Sequence, residues 1–425
     1  MNFFQYILII FLTCFLTVPF SGCVNDSLSE DAMEEMPDNE HAVMAFRVMT
    51  SDGGDDGEET GVKEMIKSLR IIMIDEESGL IECNQYFQAG ELKTNYASGE
   101  VYYFYRVTTP GKKKFYLFAN EESVGRISYE GGSSKDLTTF LNLNLYQEGS
   151  DSSADFETKI TAASTTPSYP IEDGVVYLPY SSFYELDMKA GVRYEQPMYL
   201  VPAATKFYFN FINNRTDAVN VQNLGISKVP SSVFIMGHVD DIQQELYIDG
   251  KKYYWVDWLA KISEMSQSSF SFDDNELFNE KYGWITDYSV SSQRSEDYLF
   301  LKTSSEGIST ENNVIPERTD NGGGKLPTPG SKSFGPYYIP ESKYIPNSKD
   351  KKQVYTLILE LEDQNPTVEK VEIDPEKLAL TNLGSLFRDT HVVVNITMDE
   401  GTEEIYVEIR SWFSTDNFYG TAIKQ

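Results

Sequence analysis

Cysteine and histidine have the widest chemical reach, and this chain is sparing with both: Cys14, Cys23 and Cys83, with His41, His238 and His391. The run His238-Val239-Asp240-Asp241 offers an imidazole and carboxylates to a metal. No second His or Cys stands at ligand spacing, so the run reads as a turn. His391 opens an alternating segment and reads as a packing or edge residue. Residues 52–59 look superficially like a calcium loop. Counted from Asp52, however, position 3 is Gly54 and position 12 is Lys63, where an EF-hand needs an oxygen ligand and a bidentate Glu. Asn321-Gly322-Gly323-Gly324-Lys325 lacks the spacing of a phosphate loop and its strand-to-helix setting. There is no Gly-x-Ser-x-Gly elbow, and Cys83 has no basic sequence neighbour to favour its thiolate, so it reads as a strand residue. Neighbouring carboxylates say little about acid–base catalysis in a chain with 66 acidic residues. The chain is therefore read as a non-enzyme with no catalytic, metal or cofactor site.

Cys23 is the exception. Residues 4–20 form an apolar run too short for a spanning helix with flanking domains, and read as the core of a secretory signal, although no Lys or Arg precedes it. Ser21 and Gly22 then place small side chains directly before Cys23. A lipoprotein signal peptidase needs that arrangement, because the thiol must accept diacylglycerol before the chain is cut. Residues 1–22 are thus the expected signal peptide and Cys23 the expected lipidation site, and each buried CH₂ of its acyl chains contributes about 0.8 kcal/mol to membrane attachment. Residues 23–40 follow as an acidic tether, with Asp26, Glu30, Asp31, Glu34, Glu35, Asp38 and Glu40. Such a composition cannot bury a core.

With Cys14 removed and Cys23 acylated, Cys83 has no intrachain partner, so disulfides do not hold this fold. Stability must come from core size, and about 400 mature residues suffice for two domains. The net charge of −31 argues against nucleic acid as a partner and against anionic lipid surfaces. The 28 Tyr and 25 Phe suit strands, where aromatics pack on a pleated surface.

Strands are expected at residues 41–49, 66–75, 101–107, 114–119, 174–180, 198–200, 205–212, 354–361, 391–398 and 403–413. The continuous apolar run in 66–75 suggests burial on both faces. A helix is expected to start at Ser133 or Ser134 and to present Leu137, Phe140, Leu141 and Leu145. A second is expected over 252–265. Residues 51–61, 149–169 and 306–332 read as loops. Many short strands between turn residues indicate an all-β fold of sandwich domains.

Several segments together resemble the fimbrillin family, the major and minor fimbrial subunits of Bacteroides-type bacteria. They are KSLRIIMID at 67–75, then TTPGKKKFYLFANE at 108–121, with Gly111, Lys112, Phe115 to Phe118, Ala119 and Asn120 in the family's order. Leu178-Pro179-Tyr180 and residues 201–207 look like the passage into a second domain. Residues 386–397 (LFRDTHVVVNIT) resemble a late family strand, with Asp389 where Asn is usual, and Trp412 lies where members keep a tryptophan. The acidic run after Cys23 resembles a signal for display on the outer face.

The resemblance implies two transthyretin-like β-sandwich domains with a few short helices, at residues 41–202 and 203–425, and a place in a fimbrium on the cell surface at the outer membrane. Other fimbrial subunits are the implied partners, and a host or bacterial surface ligand is a further one. It also implies strand exchange: a trypsin-like protease removes the first strand, and another subunit's C-terminal strand fills the groove. Residues 51–61, where the cut Arg belongs, contain no Arg or Lys. Arg47 is the candidate protease site, although a structural Arg within the first strand suits that position better. An uncut chain keeps its lipid and its own first strand, which favours an anchor or accessory subunit over a stalk subunit. The candidate donor strand is the terminal segment, with Phe413, Tyr419 and Ile423 on one parity and Trp412, Phe418 and Ala422 on the other; the same tail completing its own sandwich is the other reading. A non-polymerising surface lipoprotein that binds glycan or host ligand, with Tyr253, Tyr254 and Trp258 as a platform, is the rival from another class.

Overall fold

The computed structural model describes residues 40–50, 62–88, 101–128, 134–142, 153–161, 163–165, 168–194, 197–230, 233–236, 246–248, 251–253, 295–302, 313–340, 355–363, 378, 388, 390–400 and 402–411. They form a mostly β structure of several sheets with two short α-helices.

The first half of the chain builds an eight-stranded sheet. Its long strands are β1 (Ala42–Thr50), β3 (Ser68–Asp75), β4 (Ile81–Gln88), β5 (Val101–Thr108), β6 (Gly111–Ala119), β7 (Tyr180–Met188) and β8 (Pro197–Pro202), and β2 (Lys63–Glu64) lies in a small sheet beside it. The eighth, Arg193–Tyr194, runs parallel to β1 just ahead of β8. One path leads β1-β8-β7-β6-β3-β4, with β5 on the far side of β1. The two ends of that path share one core. Ala42, Met44 and Val48 of β1 meet Leu69, Ile71 and Met73 of β3 and Phe115 and Leu117 of β6.

The opposite face of β3 and β6 is buried as well. Ile72, Ile74, Tyr116 and Phe118 pack against helices α1 (Leu137–Leu141) and α2 (Ser153–Thr161) through Leu137, Phe140, Leu141, Phe156 and Ile160. The rings of Phe140 and Phe156 stack at 6.0 Å, and Phe156 meets Tyr116 edge-on at 5.3 Å. This double burial is why residues 66–75 read as one unbroken apolar run: only Asp75 of β3 escapes full burial.

Residues 205–411 contribute two more sheets. One is β12 (Gly330–Ile339), β9 (Thr205–Asn213), β14 (Thr390–Asp399) and β15 (Thr402–Ser411), in that order. The other centres on β10 (Val219–Pro230), which pairs with β11 (Ser295–Lys302), β13 (Thr356–Asp363) and the two-residue strand Val314–Ile315. Phe207, Phe209 and Phe211 of β9 and Val392, Val394 and Ile396 of β14 share a core with Val219, Val221, Leu224 and Ile226 of β10 and Leu357 and Leu361 of β13. Gly225 sits where β10 shifts register against β11; a Cβ there would lie 2.2 Å from the Tyr298 carbonyl oxygen.

Several expectations need correction. Residues 149–169 are not wholly a loop, because α2 runs through them. Phe156 and Ile160, four residues apart, form its buried stripe, and Asp155 pairs with Lys159 on the same spacing. The first helix starts later than expected, with Asp136 at its N-cap position. Ser134 instead accepts a hydrogen bond from Arg126 Nε at 3.0 Å. Lys252 and Tyr253 lie in a short strand, Lys251–Tyr253, rather than opening a helix. Residues 306–332 contain Val314–Ile315 and the start of β12. Cys23, residues 51–61, Leu145, His238, Tyr254, Trp258 and the terminal residues Trp412, Phe413, Phe418, Tyr419, Ala422 and Ile423 lie outside the described residues.

Candidate functional site: the slot of the first strand

The feature closest to the expected chemistry of assembly is the slot that β1 fills. β1 is an interior strand, paired antiparallel with β5 over eight register positions, from Ala42 opposite Thr108 to Met49 opposite Val101. Its other edge runs parallel to Arg193–Tyr194 and then to β8, from Arg47 opposite Pro197 to Thr50 opposite Leu200. Both backbone edges are therefore in use, and Ala42, Met44 and Val48 are fully buried in the core below. A strand removed from this position would leave two unpaired backbone edges and an apolar trough.

Arg47 lies within this strand, its backbone opposite Tyr103 on one side and Pro197 on the other. Cutting after Arg47 would leave Val48, Met49 and Thr50 seated between β5 and β8. A protease reads an extended, unpaired backbone, and here that backbone is committed on both sides. Arg70 is still less available. Its Nε and Nη2 donate to the two oxygens of Glu121 at 2.7 and 2.8 Å, its Nη1 donates to Asn84 Oδ1 at 2.8 Å, and it is 3 % exposed. The guanidinium also lies 5.0 Å from the Tyr86 ring centre.

The motif at 108–121 has a structural explanation. Asn120 adopts a left-handed conformation with φ of 54° and is fully buried. Its Nδ2 donates to the carbonyls of Met65 and Leu178, each at 2.8 Å, and its Oδ1 accepts from the Lys67 amide at 2.8 Å. One side chain thus ties the segment leading into β3 to the Leu178-Pro179-Tyr180 segment. At the other end of the sheet Lys113 is buried, and its Nζ donates to Asp75 Oδ2 at 2.6 Å and to Glu82 Oε1 at 2.9 Å. Burial alone would raise the pKa of Asp75, but hydrogen bonds from Lys113 and Ser78 outweigh it and bring it down to about 2. Both carboxylates serve as counter-ions for a buried ammonium, which is a structural task.

A second polar cluster joins the first-half sheets to β9 and β12. Glu64 Oε1 accepts from Lys206 Nζ at 2.9 Å and from the Tyr338 hydroxyl at 2.8 Å, and all three side chains are largely buried. Burial and the Glu64 charge push the Tyr338 phenol well above its ordinary range. These partners are 142 and 274 residues apart, so no local pattern announces them. Arg388, from the resemblance segment at 386–397, is another: it is fully buried and donates to Ser181 Oγ and to the carbonyls of Phe234, Ile235 and Met236 at 2.9–3.3 Å. His391 packs in the sheet interior with its ring 4.8 Å from Tyr208, between β9 and β15 rather than at an edge. Cys83 is a buried strand residue. No group of three metal-ligating side chains comes together among the described residues.

No family model matches the chain, and no curated protein matches it in sequence. Solved structures are similar over most of its length. The tip fimbrial protein Mfa3 of Porphyromonas gingivalis, with a C-terminal truncation, shares 12% identity at a TM-score of 0.42, covering 88% of this chain and 100% of that one. A fimbrial assembly protein from Parabacteroides distasonis shares 11% identity at a TM-score of 0.40, covering 86% of this chain and 94% of that one.

Proposed function

We propose that this chain is a non-enzymatic structural subunit of a cell-surface fimbrium, held at the outer membrane by lipid on Cys23 and joined to other fimbrial subunits by strand exchange. In this reading residues 41–202 and 203–425 are two transthyretin-like β-sandwich domains. The observation that carries the proposal is the position of β1: an interior strand at the N-terminal end of the first sheet, directly after the acidic tether, with its apolar residues in the core. Such a strand is separable in sequence but integral in space, which is what exchange between subunits requires. The absence of Arg or Lys from residues 51–61 supports an anchor or accessory role over a stalk role, because a chain that keeps β1 also keeps the lipid ahead of it.

The lipid half of the proposal is tested with Cys23→Ala in the native host. The variant is expected to leave the membrane fraction or to accumulate as an unprocessed precursor, since several acyl chains at about 0.8 kcal/mol per buried CH₂ are lost together. A variant that is processed and fractionates like the wild type would refute lipid anchoring.

A further inference from the structure

The slot of β1 has side-chain requirements along its length. At its start the Gly191 amide donates to the His41 carbonyl at 2.9 Å, and the Val43 amide donates to the Val192 carbonyl at 3.1 Å. Three consecutive residues, Ala42, Val43 and Met44, are buried there, so both faces of the strand are covered. Farther along, Val48 returns to the core on the parity of Ala42 and Met44. Counted from Ala42, the slot therefore takes a small residue first, apolar residues second and third, and an apolar residue seventh.

The first position is the tightest. Ala42 stands directly opposite Thr108, which puts the two side chains on one face with Cβ atoms about 4.5–5.5 Å apart. Thr108 cannot retreat, because its Oγ1 donates to Glu82 Oε2 at 2.9 Å and lies 4.0 Å from Met73 Sδ. Glu82 is itself held by the Lys113 ammonium at 2.9 Å and the Thr109 hydroxyl at 2.7 Å. Thr108, Met73 and Lys113 are all buried. A close-packed, cross-linked wall of this kind accepts a methyl group and resists a larger side chain.

The tail of the chain does not meet these requirements. Among the seven-residue windows of residues 412–425, read in either direction, those opening on a small residue start at Ser414 or run backward from Gly420 or Ala422. The first puts Asp416 in third place. The second puts Ser414 in seventh place, and the last puts Gly420 third and Asp416 seventh. Every other window opens on a side chain larger than serine. The resident strand also competes from within the chain. Joined through residues 51–61, it faces its slot at an effective concentration on the order of millimolar.

We infer that the slot is shaped to keep its own first strand and to refuse the tail of a second copy, so that the acceptor of this tail is a different fimbrial subunit. Copies of the chain then do not string together, and each holds a single place in a filament, as an anchor or accessory subunit does. The inference rests on the strand-exchange reading above and adds which partner the tail can take.

The test uses the full-length chain with a specific protease site inserted within residues 51–61. Nicking there leaves β1 seated but untethered, and labelled peptides are exchanged against it. A peptide of residues 40–50 is expected to enter the slot. The same peptide with Ala42→Phe is expected to bind about tenfold to a hundredfold more weakly. A peptide of residues 412–425 is expected to bind about a hundredfold more weakly or worse. A tail peptide that binds within tenfold of the 40–50 peptide overturns the refusal while strand exchange stands. Equal binding of the Ala42→Phe peptide overturns it too, since the first position then excludes nothing. If the 40–50 peptide does not enter, even when the nicked chain is unfolded and refolded with it, strand exchange and the inference fall together.

Discussion

A chain lacking residues 41–50 is expected to lose native packing around its first sheet, and to regain it when a peptide of residues 40–50 is added in trans. The loss follows from what β1 covers. Met44 and Val48 are fully buried, and burying each such side chain contributes about 1.5–3 kcal/mol. The backbone edges of β5, Arg193–Tyr194 and β8 lose their partner as well, at a net cost of about 0.5–1.5 kcal/mol per hydrogen bond. Together these reach the size of a whole domain's stability, about 5–15 kcal/mol. Rescue follows because the missing element is a single extended segment that binds only the folded state. Hydrogen-exchange protection of β5 and β8 is the readout: low in the truncated chain, restored in proportion to peptide. Full protection without peptide would mean that β1 is dispensable and the slot is not an exchange site.

Deleting residues 416–425 is expected to leave a folded, lipidated monomer that no longer joins fimbriae. β15 pairs with β14 over ten register positions, from Thr402 opposite Asp399 to Ser411 opposite Thr390, and a deletion from residue 416 leaves all ten in place. Beyond Ser411, Phe413, Tyr419 and Ile423 share one parity, and Trp412, Phe418 and Ala422 share the other. Two or three such side chains seated in a neighbour's trough would contribute about 1.5–3 kcal/mol each, beside the backbone ladder. Removing most of them should therefore lower incorporation into fimbriae by several orders of magnitude while thermal stability stays near wild type. A truncated chain that unfolds or is degraded would show that the tail completes its own core. Co-purification with filaments would exclude donation by this segment.

Strands built from local patterns were legible in the sequence. Residues 66–75, 101–107 and 205–212 each announce themselves by apolar content or alternation, and β3, β5 and β9 lie within two residues of those bounds. Strands without such a pattern were not. β4 (IECNQYFQ) is polar because, among the described residues, it takes only β3 as a ladder partner and buries little beyond Cys83. β7 keeps Ser181 and Ser182 in its buried half, where the Ser181 hydroxyl donates to the Ile235 carbonyl at 2.7 Å. Helix α2 hides in a Ser/Thr/Asp-rich stretch because it needs only Phe156 and Ile160 to dock. At the candidate site, the resemblance brought out Asn120, but its three hydrogen bonds depend on partners more than fifty residues away. The position of Arg47 inside the first strand was legible; the pairing of that strand on both edges and the sequestering of Arg70 by Glu121 were not, since the Arg70–Glu121 pair spans 51 residues.

The most direct test of the account is mass spectrometry of the mature N-terminus in protein taken from the surface of its own cells. The account predicts a chain that begins at acylated Cys23 and retains residues 41–49, because 51–61 offer no basic cleavage point and Arg47 is held between two strands. Recovery of a species that begins at Val48, without lipid, would contradict it and restore a stalk or tip role.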